Sequence, residues 1–526
     1  MATMFPCPDC GGQLKFDIPK QKLKCQSCGN LHDVNTYKAD DKIGTDHITT
    51  GVYQCPNCGG EIQLIDNDGM EFCPFCGTQA TMQEKFSSEG APKYIMPFSI
   101  SRKQAKNRYE QATKGLHFAP DGLNDDENIE KMVAMYVPYY LYDYEVHDRV
   151  AFKGHRTYTS GGYDYTNKAN IDVNLDVETV KVPYDASQAL DDSIAEHIEP
   201  FLVDNVVEFN PNYLAGFFVE NSTVDKDLYK TESVDKATEY LKQQVMANAK
   251  GYTPDYQEEG FITSRIASDL QYKGAEGAYM PLYFLTTRYG DRVAYSIMNG
   301  ATGKIFSDMP IEKSKLFKKA AIMSALIFVL LIIASFIFSF SFKVKNLCAF
   351  AGLVSSIIGM TGAILANKTY IRDNHLNDKG YFKTQENVSG EATKALKKKS
   401  MGPFALTAII FAAMLFVFVF FIFGAAVFSE FLSVILYPLS ALFIIIGLCS
   451  VKKGKKKVLL LGIAGWVLSI VIRLINLPND IFYYIALIVA FLVILFSIHE
   501  VVDEFNRFAT RPSPQFLKKG GGLERA

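Results

Sequence analysis

The chain is 526 residues long, 48% hydrophobic and 21% charged, with a formal net charge of −2. That length predicts several domains, and the near-neutral balance excludes a strongly basic nucleic-acid binder. The first 86 residues go further, since seven lysines and no arginine stand against eleven Asp or Glu.

Hydropathy is uneven along the chain. Residues 1 to about 315 mix polar and apolar positions, whereas 320–498 hold long runs of Leu, Ile, Phe, Val and Ala with almost no charge. A water-facing half is expected to precede a membrane half. The start MATMFPCPDC lacks the charged segment and apolar run of a secretory signal.

Eight of the ten cysteines fall in four CxxC pairs before residue 77. Cys7 and Cys10 are followed after fourteen residues by Cys25 and Cys28; Cys55 and Cys58 are followed, again after fourteen, by Cys73 and Cys76. Each pair puts two thiolates on one turn, and two turns supply the four sulfurs that tetrahedral zinc prefers. Gly11, Gly29, Gly59 and Gly77 follow the second cysteine of each pair. Glycine there tolerates the positive φ that lets backbone N–H groups point at sulfur. The spacing predicts two structural Zn2+ ions per chain, in ribbons at 1–36 and 51–82, within a reducing compartment. A redox dithiol would need an exposed pair beside a helix start, which this strand-and-turn sequence does not offer. Four protein ligands leave no position for a catalytic water, so these ions are expected to fold the segment.

A polar stretch, QEKFSSEGAPK at 83–93, is expected to link the ribbons to an α+β domain at 94–312. Ser101 with Gln104 forms a capping box for a helix reaching Gly115. Further helices are expected over 186–198, closed before Pro200, and over 233–251. YVPYYLYDYEV at 136–146 and YMPLYFLTTRY at 279–289 share a Tyr-x-Pro-x-Tyr pattern, a faint internal duplication. Pro138 and Pro281 are expected to start or edge a strand, because proline cannot donate to a ladder. The second copy continues through Gly290-Asp291 into RVAYSIM and through Asn299-Gly300 into TGKIF, a small meander.

No phosphate-binding loop, nucleophile elbow, dinucleotide fingerprint or HExxH is present. His147 and His155, with Asp143, Glu145 and Asp148 nearby, suggest a metal or acid–base site less well than a polar sheet face. The tyrosines of 136–165 likewise read as half-buried strand residues rather than a stacking surface for bases.

The blocks KYIMPFSISRKQA, MYVPYYLYDYEV, VKVPYDASQALDDSIAEHIEPF, NYLAGFFVE, YMPLYFLTTRY and NGATGKIFSDMPI occur here in that order. Over about residues 1–315 the chain resembles the zinc-ribbon membrane proteins of Gram-positive bacteria similar to YdjG. The resemblance implies two N-terminal ribbons, with the same eight cysteines as ligands, ahead of an α+β domain. It also implies association with SPFH-domain (flotillin-like) and PspA-like proteins at a stressed membrane.

Six apolar segments are expected to span, at about 320–342, 347–366, 404–428, 431–450, 458–475 and 481–498, within a transmembrane domain at 316–499. Each approaches the ~20 residues needed to cross ~30 Å of hydrocarbon. Lysine-rich EKSKLFKK, the 367–403 connection and KKGKKK at 452–457 alternate with connections poor in positive charge. The positive-inside rule then sets both termini, including a tail at 500–526, in the cytoplasm of a multi-pass membrane protein. Gly352, Ser356, Gly359 and Ala363 give small-xxx-small spacing for helix packing, within the chain or in a homo-oligomer. The lysine clusters can also hold anionic lipid.

Together these features predict a non-enzymatic membrane scaffold that recruits a cytoplasmic protein partner. The alternatives are a channel or transporter with a ribbon-bearing regulatory domain, and a membrane-tethered nucleic-acid binder. Paired charges within spans, which transport favours, are lacking, and acidic ribbons make nucleic acid an unfavoured partner.

Overall fold

The structure is a computed structural model. It describes residues 5–38, the backbone of strands at 47–54, 61–64 and 83–90, and residues 91–319 apart from 124, 188, 189, 221, 290, 291 and 308. Beyond these it describes 321, 322, 326, 345–373, 379, 432–450 and 456–508 apart from 477 and 480.

Three short strands, β1 (Leu14–Asp17), β2 (Lys22–Cys25) and β3 (Leu31–His32), form an antiparallel sheet that carries the first cysteine set. Next come β4 (His47–Gln54), β5 (Glu61–Leu64) and β6 (Gln83–Gly90). β6 pairs with β4 along its whole length. The stretch from 83 to 90, expected as a linker, is therefore strand. Side-chain patterning could not reveal this, because the ladder is made by backbone groups of a distant segment.

β7 (Tyr94–Ile95) leads to α1 (Arg102–Thr113), which carries both halves of the Ser101/Gln104 capping box. After α2 (Asp126–Ile129) come two long strands, β8 (Val133–Ser160) and β9 (Tyr163–Asp185), joined at Gly161-Gly162. Both glycines have positive φ, +60° and +82°, as a tight hairpin turn demands. α3 (Asp192–Ile198) starts later than expected, because the preceding residues are held elsewhere. The Ala186 amide donates to the Pro138 carbonyl, and the Ser187 hydroxyl to Glu220. β10 (Val207–Glu208) and β11 (Phe218–Val219) precede α4 (Lys230–Asn248), β12 (Thr253–Pro254) and α5 (Tyr256–Asp269). The domain ends in β13 (Gln271–Tyr289), β14 (Arg292–Asn299) and β15 (Ile305–Ser307), the expected meander.

Among the described residues, β4 to β15 join one twelve-stranded sheet. Its centre is the β8–β13 pair, where the two Tyr-x-Pro-x-Tyr copies lie against each other: Tyr136 opposite Pro281, and Pro138 opposite Tyr279. Both prolines are thus mid-strand rather than at a strand start or sheet edge. Their carbonyls explain how this is tolerated. Pro138 accepts from Ala186 and Pro281 from Gly300, so each ring nitrogen faces the side where a neighbouring ladder has just ended.

Tyr136, Tyr139, Tyr142 and Tyr144 are buried core residues. The hydroxyls of Tyr142 and Tyr144 meet the Lys226 carbonyl and the Ser233 hydroxyl at 2.6 Å each, fastening the α4 layer to the sheet.

The C-terminal helices are α6 (Asn346–Asp373), α7 (Leu432–Ser450), α8 (Lys457–Ile475) and α9 (Ile481–Phe508), with α6 touching the other three. Among the described residues three helical stretches are long and apolar enough to cross a membrane: Asn346–Ile371, Lys457–Ile475 and Ile481–Asp503. A shorter apolar stretch, Leu436–Ser450, lies in α7. The expected segments at 320–342 and 404–428 lie almost wholly outside the described residues.

α6 and α8 run antiparallel at close approach. A Cβ on Gly462 would lie 2.6 Å from the Gly359 Cα, and one on Gly362 would meet Val458 at 2.1 Å. The small-residue seam is therefore used within the chain. α7 instead runs parallel to α6, since Gly352 faces Tyr437 whereas Met360 faces Gly447. Two ion pairs mark one end of the bundle, Lys457 with Glu500 at 3.0 Å and Lys313 with Asp503. The second ties the segment that follows β15 to the end of α9, a helix that also touches β14.

Candidate metal centre

Two knuckles hold the first four cysteines. In each, the glycine after the second cysteine has positive φ, +71° at Gly11 and +78° at Gly29. The Gly11 amide donates to the Cys7 carbonyl at 2.8 Å and the Gly29 amide to the Cys25 carbonyl at 3.1 Å. β1 and β2 pair with Leu14 opposite Cys25, which brings the knuckles face to face.

The Sγ atoms of Cys7 and Cys28 are 3.8 Å apart, and those of Cys10 and Cys25 are 3.5 Å apart. All four sulfurs lie within 4.8 Å of one another. A tetrahedron with metal–sulfur bonds of about 2.3 Å has edges of about 3.8 Å, so this donor set fits a zinc-sized ion. Backbone donors prepare the site. The Ser27 and Cys28 amides each approach the Cys25 sulfur at 3.4 Å, and the Cys28 amide foremost holds that thiol down at about 6. Burial pushes the Cys7 thiol up. Cys55, Cys58, Cys73 and Cys76 lie outside the described residues.

Sequence reading missed two neighbours of the site. His32 places Nε2 3.5 Å from the Cys7 sulfur and 3.4 Å from the Asp9 carboxylate. Cys7, Asp9 and His32 form a second grouping able to hold an ion. The available signal was register: His32 lies on β3, paired opposite Leu23 two residues before Cys25. As an imidazole beside a thiolate, His32 can donate a hydrogen bond that offsets the charge of four sulfurs.

The ribbon is not a free-standing knob. Phe5, Leu14, Phe16, Leu23 and Val34 share one apolar cluster with Ile95, Phe98, Tyr136 and Phe217 of the sheet domain. The Phe16 amide donates to the Ala215 carbonyl at 3.0 Å, and the Asn212 side chain donates to the Val34 and Tyr37 carbonyls at 2.8 and 2.9 Å. The knuckle residues 8–11 and 26–31 stay exposed, as do the β1–β2 turn at 19–22 and several residues after 32.

The histidines of the sheet domain are engaged separately. His147 pairs with Asp176, His155 with Asp255 at 2.9 Å, Glu145 with Lys273 at 2.8 Å, and Asp148 takes two bonds from Arg265 at 2.8 Å each. This is a polar sheet face. Among the described residues, the groupings able to hold a metal lie only between Cys7 and His32.

Comparison with known proteins adds a relationship. The chain is 25% identical over 324 residues to YdjG of Bacillus subtilis, described as an uncharacterized protein; the match takes in 60% of this chain and 92% of YdjG. The chain is similar to YdjG. A shorter likeness, 32% over 62 residues, links 12% of this chain with 42% of the hydrogenase maturation factor HypA of Caldanaerobacter subterraneus subsp. tengcongensis. No family profile and no solved structure matches the chain.

Proposed function

We propose that this is a non-enzymatic membrane scaffold. Its zinc-bearing ribbons and β-sheet domain would recruit a cytoplasmic protein to the bilayer. The observation that carries the reading is the orientation of the first ribbon, whose apolar face is spent on the sheet domain while its knuckles face outward. The sheet domain is itself tied to a bundle of apolar helices. A contact surface is thereby held at a membrane. On the sequence resemblance, the partner is an SPFH-domain or PspA-like protein, and the second cysteine set holds a second Zn2+.

Six spans with both termini cytoplasmic is the topology we propose. Helix direction supports it. α6 and α7 are parallel, an arrangement that a returning span at 404–428 would accommodate. The sheet domain sits at the end of the bundle marked by Asp503, whereas Lys345 at the start of α6 bonds Asn476 at 2.6 Å, at the far end of α8. A span at 320–342, as proposed, would join those two ends.

The test is recruitment. In cells, a fluorescent PspA-like or SPFH-domain partner is expected at the membrane with the full chain. With the exposed knuckle residues Gln26 and Leu31 changed to Arg it is expected to disperse, while the chain itself stays membrane-bound. Unchanged partner localisation would remove the knuckles from the recruiting surface.

A further inference from the structure

Away from the cysteines, α3, α4 and the segment before α4 gather carboxylates around two tyrosine rings. Tyr184 and Tyr229 stack at 5.0 Å with 13° between their planes. Asp192, Glu196, Glu199 and Glu232 all bear electrostatically on Tyr184. Lys236 answers Glu199 at 2.5 Å and donates to the Pro183 carbonyl at 3.2 Å. The hydroxyl of Tyr139 lies in the same acidic field, 1% exposed and with no hydrogen-bond partner among the described residues.

One further cation enters from outside the domain. Lys379, in the connection that follows α6, donates its backbone amide to Asp192 at 2.9 Å. Its ammonium donates to the Leu228 carbonyl at 2.8 Å and to Glu232 at 2.5 Å, and lies 5.6 Å from the Tyr229 ring centre. The Tyr229 hydroxyl donates to the other Asp192 oxygen at 2.6 Å, which orients that carboxylate. A carboxylate, a carbonyl and an aromatic face are the three partners a primary ammonium takes when it leaves water.

We propose that the Leu228 carbonyl, Tyr229 and Glu232 form a primary-ammonium site whose resident ligand is Lys379, with Asp192 holding the backbone amide of the same residue. The site clasps the sheet domain to the membrane half, independently of which partner the scaffold recruits. Lys379 lies six positions beyond the end of α6 at Asp373, a reach of at most ~22 Å. With the clasp closed, α3 and α4 are held close to that end of α6. Lys379 is 20% exposed and Glu232 42%, which sets the pair apart from fully solvated surface lysines.

Two readings on the full chain in lipid nanodiscs test this. Under brief treatment with N-hydroxysuccinimidyl acetate, Lys379 is expected to acetylate roughly tenfold more slowly than exposed Lys318, as loss of a charge-assisted bond implies. Glu232→Gln is expected to close most of that gap. A carbodiimide is expected to join Lys379 to Glu232 directly in the wild-type chain. The Lys242–Glu259 pair, at 2.7 Å, serves as the internal control for a folded domain. Lys379 acetylating as fast as Lys318, or a Lys242–Glu259 cross-link forming without a Lys379–Glu232 one, would overturn the proposal.

Discussion

Two interfaces hold this molecule together by opposite means. Where the first ribbon meets the sheet domain, large rings fill space: Phe16 meets Tyr213 edge-on at 5.3 Å and lies 6.3 Å from Phe217, which stacks in turn on Phe98 at 4.5 Å. Where α6 meets α8, space is removed, with Gly359 against Gly462 and Gly465 against Ser355. On the proposed membrane placement of the bundle, the reason is the solvent. A contact formed in water gains by burying apolar area, whereas helices among lipid tails gain little from burial and depend on close backbone approach. The first interface should be sensitive to deletion of atoms and the second to their addition.

The largest effect expected on this contrast is at the metal. Replacing Cys7 and Cys25 by Ser removes two of four ligands and one apolar wall, since both are buried in the shared cluster. Structural zinc contributes on the order of 10 kcal/mol in isolated fingers. Hydrogen exchange over 5–38 is expected to lose its protection while the β8–β9 core keeps its own. Phe98→Ala comes next. Phe98 is 0% exposed, and a cavity of that size costs about 3–5 kcal/mol, read as a lower denaturation midpoint for the sheet domain. In the bundle, Gly462→Leu puts side-chain atoms where even a Cβ lies 2.6 Å from Gly359. Overpacking of about 1–3 kcal/mol is expected there, seen as a lower midpoint in detergent, with Gly462→Ala the milder member of the pair.

A pH experiment sharpens the account of the sheet core. Burial pushes the Glu220 carboxyl from its ordinary value of 4.5 up to about 8. The folded chain therefore carries a proton there that the unfolded chain has released. Between about pH 4.5 and 8 the folded state binds more protons, so this group makes stability fall as pH rises, with no further change above that window. Glu220→Gln is expected to flatten that part of the profile. The smallest effect is Ser101→Ala, which removes one half of the α1 capping box at about 1 kcal/mol.

What was legible in the sequence was local. The capping box at Ser101, the knuckles at Cys7 to Gly11 and Cys25 to Gly29, and the β13–β14–β15 meander each depend on residues a few positions apart. Their structure follows from turn chemistry. What was not legible depends on partners far along the chain: β6 found its ladder in β4, and Pro138 and Pro281 found ladder ends to face. The docking of Phe16 beside Ala215, and of Lys379 onto Asp192, likewise spans long sequence separations. Composition could mark the membrane half, but the parallel course of α6 and α7 emerges only from which glycine meets which side chain.

The central claim, that Cys7, Cys10, Cys25 and Cys28 close one structural metal centre holding the ribbon on the sheet domain, is tested most directly by metal analysis. Purified chain is expected to carry one zinc more than the Cys7→Ser/Cys25→Ser variant, with the loss accompanied by exchange over 5–38. Chain with all four thiols intact, fully protected over 5–38 and holding no more metal than the variant would contradict it.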